Sequence, residues 1–298
     1  MPMTSSMWGA AAAVFKHDPP HKEMGELDLG IAVSGGKSIA TRQYHQGALK
    51  IIRPHYLDDS GQVYYTIANP GGGYVGGDAY RIGVEVEPKA SILLTDQSAS
   101  KVYRTPGDYV VQNMEFTLHG NGVMEYIPDQ LILYRDADYR QEITVRMDEE
   151  SSLFMADIVT PGWSPGGEMF LYKQAHLRTQ VFMGDTPVLI DNIRIEPTNE
   201  TFAQMKSSFL GAHTHFSTAI CIDPRVDGEV VEKVREAVKE KLEGRGSVHA
   251  SVTTIDVPGF VLRAVADWTE DLMGVVLAAA DVVRQETRGQ GSIHLRKY

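Results

Sequence analysis

Cysteine is nearly missing from this 298-residue chain. Cys221 stands alone, which excludes an intramolecular disulfide and a zinc ribbon and fits a reducing cytoplasm. Long apolar runs are missing as well. No stretch approaches the roughly 18–20 continuous apolar residues of a membrane helix, so a soluble protein is expected. The short apolar segment Met7–Phe15 has no lysine or arginine before it and so lacks the positive region of a secretory signal. It reads as part of a loosely held extension over residues 1–24. Basic residues are in deficit, 28 against 39 acids, for a net charge of -11. That disfavours nucleic acid or an anionic membrane as partner and suits cations or basic protein surfaces. Phosphate loops are missing. Ser34-Gly35-Gly36-Lys37-Ser38 has Ile31 where a Walker loop needs glycine, and Gly76-Gly77 is followed by Asp78, which would repel phosphate. No Cys-Gly-x-Cys motif occurs.

What is there is mostly strand. Leu27 to Val33 and Ser38 to Tyr44 flank Gly35-Gly36 as a hairpin. Tyr80, Ile82, Val84 and Val86 alternate with Arg81, Gly83, Glu85 and Glu87, one side apolar and the other wet. Met114, Phe116 and Leu118 alternate likewise, as do Ile143, Val145 and Met147. Leu177 to Phe182 and Val188 to Ile195 flank the turn at Gly184-Asp185. The pattern predicts a mainly β fold, many short antiparallel strands in stacked sheets, β-helix or sandwich-like. No fixed-period repeat supports a regular solenoid. Two segments break the rhythm. Val226, Val230, Val234, Val238 and Leu242 recur every fourth residue between Asp227 as N-cap and Gly244 as stop. Leu272, Val275, Val276, Ala279, Val282 and Val283 form a second stripe before Gly289. Two helices, near 226–243 and 269–288, are expected within a single domain over 25–298, their stripes packed on a sheet.

The stretch Asn69 to Thr105 organises the rest. It holds five glycines in seven residues, 71 to 73 and 76 to 77, then Asp78, a strand, and the polar run Thr95, Gln97, Ser98, Ser100, Lys101. The order GGGYVGGDAYRIGVEVEP, then LLTDQSASKVYRT, resembles the signature of the urease accessory protein UreD (UreH) family. Thr95, Gln97, Lys101, Val102, Tyr103 and Arg104 stand at matching positions, as do Gly76, Gly77 and Asp78. EYIPDQLILYRDADYRQ, PGWSPGGEMF at Pro161 to Phe170 and the terminal LRKY are similar to the same family. The resemblance implies a β-rich fold with two C-terminal helices and a non-catalytic chaperone. With UreF, and through it the GTPase UreG, such a protein docks on urease apoprotein and helps install nickel. No permanently bound cofactor is implied, only nickel in transit. Asp78 and Glu168 match family positions and are the candidates for that ion's route, or else acids that satisfy loop N–H groups.

Other side chains leave alternatives open. His213 and His215 on one strand face would suit nickel or zinc, yet the glutamate of a cupin site is replaced by Ala219 or Ile220. Structural and transient metal-contact readings both stand. A metal-binding β-scaffold enzyme using this pair, or a ligand-binding structural β-module, is the rival to the chaperone. Cys221 between Ile220 and Ile222 reads as a small core residue.

Overall fold

A computed structural model describes residues 25–197 and 206–295. The expected N-terminal extension lies outside the described residues. The chain opens on the anticipated hairpin, β1 (Gly25–Ser34) and β2 (Lys37–Gly47). Gly35 and Gly36 turn it with φ of 58° and 77°, the paired positive values that match the twist of the flanking strands. Next come β3 (Lys50–Ile51), β4 (Val63–Ala68), β5 (Ala79–Val86), β6 (Ser91–Asp96), β7 (Ser100–Val102), β8 (Val110–Leu118), β9 (Val123–Tyr126), β10 (Leu131–Leu133), β11 (Asp138–Met147) and β12 (Ser152–Val159). A second hairpin, β13 (Gln174–Met183) and β14 (Thr186–Ile195), turns at Gly184 as expected. The last third holds β15 (His215–Ile222), α1 (Gly228–Leu242), β16 (Val248–Thr254), β17 (Gly259–Ala266) and α2 (Thr269–Arg288).

The sheets are two, and the chain alternates between them. One runs β14-β13-β11-β8-β5-β1-β2, the other β16-β17-β15-β12-β9-β6-β4-β3. The antiparallel pairing expected from sequence holds only toward the ends. Between β5 and β13 in the first sheet, and between β4 and β12 in the second, every ladder is parallel. The cause is the winding: a strand's neighbour arrives one full coil later, travelling the same way. In the second sheet Val63, Ile92, Met124 and Leu153 lie side by side. In the first, Tyr80, Gln112, Gln141 and Leu177 do. The steps are unequal, so a solenoid is built without a fixed repeat.

Three layers result. The main core lies between the sheets, with Leu29, Ile31, Val86, Phe116, Ile143 and Val145 at no more than 2% exposure. A second core joins the outer face of the second sheet to the helices, where Val234, Val276 and Val283 meet Cys221, Phe260 and Leu262. Burying each such valine or leucine contributes about 1.5–3 kcal/mol. Asp227 caps α1 by accepting from the N–H groups of Glu229 and Val230, and Gly289 closes α2 at φ 62°. Arginines that the stripes did not announce lock α2 down. Arg284 donates to Glu125, Gln62 and Asp58, and Arg288 to Glu125 and Asp223.

Candidate functional site

Of the sequence blocks quoted above, residues 69–105, 125–141 and 161–170 meet on a third, narrow side of the coil. Tyr74 bridges Val102, β7 pairs with β10, and Tyr134 bridges Trp163, so four successive coils stack their loops there. The N–H of Tyr74 reaches the Lys101 carbonyl at 2.8 Å and that of Tyr103 returns to Tyr74 at 2.8 Å. On this frame Tyr103, Tyr134 and Trp163 form a ring ladder with centroids 5.0 and 4.7 Å apart. Arg104 pairs with Asp136 and Arg135 with Glu168 alongside it. Glu168 is exposed. Its carboxylate accepts from Ser164 Oγ at 2.9 Å, the main cause of a pKa held below the usual carboxylate range.

Gly73 and Gly77 are required by this stacking. A Cβ on Gly73 would come within 2.7 Å of the Tyr103 ring and 2.8 Å of the Lys101 carbonyl oxygen. Gly77 sits at φ 91°, where a β-branched residue is strained. Gly77→Val is therefore expected to cost at least about 1 kcal/mol and to lower the unfolding midpoint in urea. Gly76 has its Cα side against Thr105, 3.1 Å from an added Cβ. Among the other motif residues, Thr95 is buried and its hydroxyl donates to the Ile127 carbonyl. Gln97 is exposed with its N–H on Ile67, and Lys101 is half-buried in β7.

Asp78 faces inward, at 6% exposure. Its Oδ2 accepts from the N–H of Val75 and from the Tyr80 hydroxyl, both at 2.9 Å. A string of polar side chains continues from it between the sheets. The Tyr80 ring stacks on Tyr74 at 4.3 Å, the Tyr74 hydroxyl donates to Gln112 at 2.8 Å, and Tyr74 stacks toward Tyr139 at 6.5 Å. The Tyr139 hydroxyl donates to Gln141 at 2.9 Å, and Gln141 Nε2 to Asp157 Oδ1 at 3.2 Å. Beside Asp157 in the second sheet come Thr218 and then Arg263, whose guanidinium donates to Thr218 and crosses to Asp191 of the first sheet. The string thus runs from the glycine loop to a cleft of about 740 Å³ lined by Asp191, Ile193, Phe216, His249 and Arg263 among others.

Electrostatics single out Asp157. Burial pushes its carboxyl up to about 7, and the charge of Asp191 adds to this while the Gln141 hydrogen bond opposes it. Burial and then the charge of Asp96 push Tyr74 and Tyr126 far up, and burial with Tyr74, Asp157 and Asp96 does the same to Tyr139, so these hydroxyls stay protonated. A carboxyl raised in the folded state adds stability that is full below its unfolded value near 3.9 and lost as pH climbs through about 7. Asp157→Asn should abolish that loss. Thermal melts from pH 4 to 8 should show the variant overtaking the wild type by roughly 2 kcal/mol above pH 7, and equal curves would contradict the assignment.

The two histidines have different partners. His213 Nδ1 lies 3.0 Å from Asp267 and its ring meets His249 edge-on at 5.0 Å. His215 contacts Thr214 and is pushed down by burial. Among the described residues no group of three or more His, Cys, Asp or Glu side chains could hold a metal ion. Cys221 is fully buried in the helix-side core, and burial pushes its thiol up. No described helix is long and apolar enough to cross a membrane. Asp157, Arg263 and the Arg284–Glu125 network were not singled out from sequence. The one available signal was polar residues, Asp157 and Gln141, at inward positions of otherwise apolar strands.

Comparison with known proteins agrees with the motif blocks. The family model described as UreD urease accessory protein matches residues 23–297. A urease accessory protein UreD of Paenarthrobacter aurescens is 40% identical over 278 residues, covering 92% of this chain and 95% of the relative. That of Arthrobacter sp. is 41% identical, covering 92% and 94%, and that of Actinomyces naeslundii 39%, covering 92% and 98%.

Proposed function

The chain belongs to the UreD urease accessory protein family, and from that membership in urease maturation we propose that it is a non-catalytic scaffold through which nickel reaches the urease apoprotein. The observation that carries this reading is the succession of hydrogen bonds and stacked rings from Asp78 through Tyr80, Tyr74 with its partner Gln112, Tyr139 and Gln141 to Asp157. A divalent cation needs oxygen or nitrogen donors at intervals without a cage that traps it. Asp78 and Asp157 supply charge at the ends, and hydroxyls and amides supply neutral oxygens between them. Glu168, on the outer ridge, is the acid that meets the ion before it enters. His213 and His215 stand aside from the string as weak contact points near the cleft.

The partners follow from the family resemblance. UreF takes the solvent face of the helical layer, with UreG joining through it and urease apoprotein as the destination. Glu229, Glu232, Glu236 and Glu240 are exposed on α1 while its valines are buried; Lys233 and Arg235 pair with the first two at the surface, where a partner's basic groups can compete with such screened contacts. Co-purification of the full chain with UreF and apo-urease tests the reading. Paired Glu232→Lys and Glu236→Lys substitutions should weaken UreF capture and leave the melting temperature within about 2 °C, since both are surface positions. UreF capture unchanged by reversal across this face would remove the assignment.

A further inference from the structure

The cleft is walled by the free edge of one sheet and floored by an overhang of the other. Asp191, Asn192, Ile193, Arg194, Ile195 and Glu196 all line it. Successive side chains of a strand point to opposite faces, so a wall made of six consecutive residues is the backbone edge at the C-terminal end of β14. β14 is the last strand of the first sheet, and among the described residues this edge pairs with no other strand. Pro187 and the bulge opposite it at Val181 and Phe182 blunt only the hairpin end. From Asp191 to Ile195 the pairing with β13 is regular, which leaves the N–H and C=O groups of the other edge in place for a further strand.

Arg263 of β17 reaches Asp191, so β17 lies opposite β14, and β16, paired on the far side of β17, lies one strand further out. Ser251 is the register partner of Arg263 and shares its inward face, as do His249 and Thr253, and all three are exposed because the first sheet has no strand opposite them. The room is that of one strand. Two copies of the chain joined β14 to β14 would each bring β17 to the position that the other's β16 holds, so a continuous-sheet dimer is excluded. Charge narrows the occupant further. At the rim the Arg263 and Arg194 side chains are 47% and 56% exposed, against 17% and 33% for their partners Asp191 and Glu196, and His249 is exposed beside them. The charge left facing out is therefore positive, in a chain of net charge -11. Ile193, Phe216 and Val265 add apolar lining. We propose that the cleft is a docking site for one acidic, extended segment of a partner protein, which adds as a strand to the free edge of β14 over the inner face of β16. This goes beyond the ion route and stands without it.

The test uses the full chain and short fluorescein-labelled peptides: valine and isoleucine alternating with glutamate, the same pattern with lysine, and the glutamate peptide with a central proline, which breaks a strand ladder. Fluorescence polarisation should show the glutamate peptide binding at least about tenfold more tightly than the lysine peptide, and the proline peptide not binding. Amide hydrogen exchange should slow at residues 191–196 when the glutamate peptide is bound. Ser251→Trp, at an exposed position, should lose the glutamate peptide while melting as the wild type does, and Arg194→Glu should remove the preference for glutamate over lysine. Absence of binding by the glutamate peptide, equal affinity of the wild type for both charges, or unchanged exchange along β14 overturns the proposal. So does a dimer of the full chain in light scattering that Ser251→Trp dissociates, since the occupant would then be a second copy.

Discussion

Glu125→Ala is expected to lower the melting temperature by roughly 10 °C, the largest loss of stability from any single truncation considered for this fold. Glu125 is 1% exposed on β9 and accepts from Gln62 at 2.9 Å, from Arg288 at 2.7 Å and from Arg284. Arg284 is itself only 2% exposed, deep in the layer where α2 meets the second sheet. Removing the carboxylate leaves a buried guanidinium uncompensated, which costs about 3–5 kcal/mol, far beyond the 0–1 kcal/mol of an exposed pair such as Lys233 with Glu229. Asp58 and Asp223 remain near the two arginines and offset part of the cost. Calorimetry on the alanine variant checks this, with Glu125→Gln as the comparison that keeps an acceptor in place and loses less. A shift under about 2 °C for Glu125→Ala would mean that helix burial alone holds the layer.

The second large effect concerns nickel delivery. Asp157→Asn should reduce the nickel passed to apo-urease by about tenfold, because it removes the carboxylate at the cleft end of the string, beside Thr218. Asparagine keeps the shape, and its amide can still meet Gln141, so assembly with partners is expected to persist. Stability should move the other way above pH 7, where the wild type holds an ionised carboxyl against the burial that raises it to about 7. A less stable variant with poor delivery would point to misfolding. A more stable variant with poor delivery points to the ion. Nickel per urease, measured by atomic absorption after mixing with the variant complex, decides between them.

Much of the fold was legible in local pattern. Both glycine-turn hairpins, the alternation on β5, β8 and β11, and the two helices with their caps at Asp227 and Gly289 read directly from periodicity and turn chemistry. The parallel winding was not. Val63, Ile92 and Met124 are neighbours across unequal coils, and nothing local tells a strand that its partner lies one turn ahead. The site divided in the same way. Asp78 stood out because glycines and a motif surround it. Asp157, Gln141 and Arg263 sit on three different strands with ordinary surroundings, and only the stacking brings them into one line. Arg284 and Arg288 were hidden for a related reason, since a charge four residues from another charge at a helix end reads as solvated until Glu125 and Asp223 are seen beneath it.

We propose that nickel travels through this chain along the string that begins at Asp78. Its most direct test is the nickel content of urease matured with the Asp78→Asn protein, alongside melting and complex formation. Asparagine can still accept from the N–H of Val75, so the turn and the complex should survive. The expected result is an intact, partner-bound variant that leaves urease short of nickel. Normal nickel loading by that intact variant would contradict it.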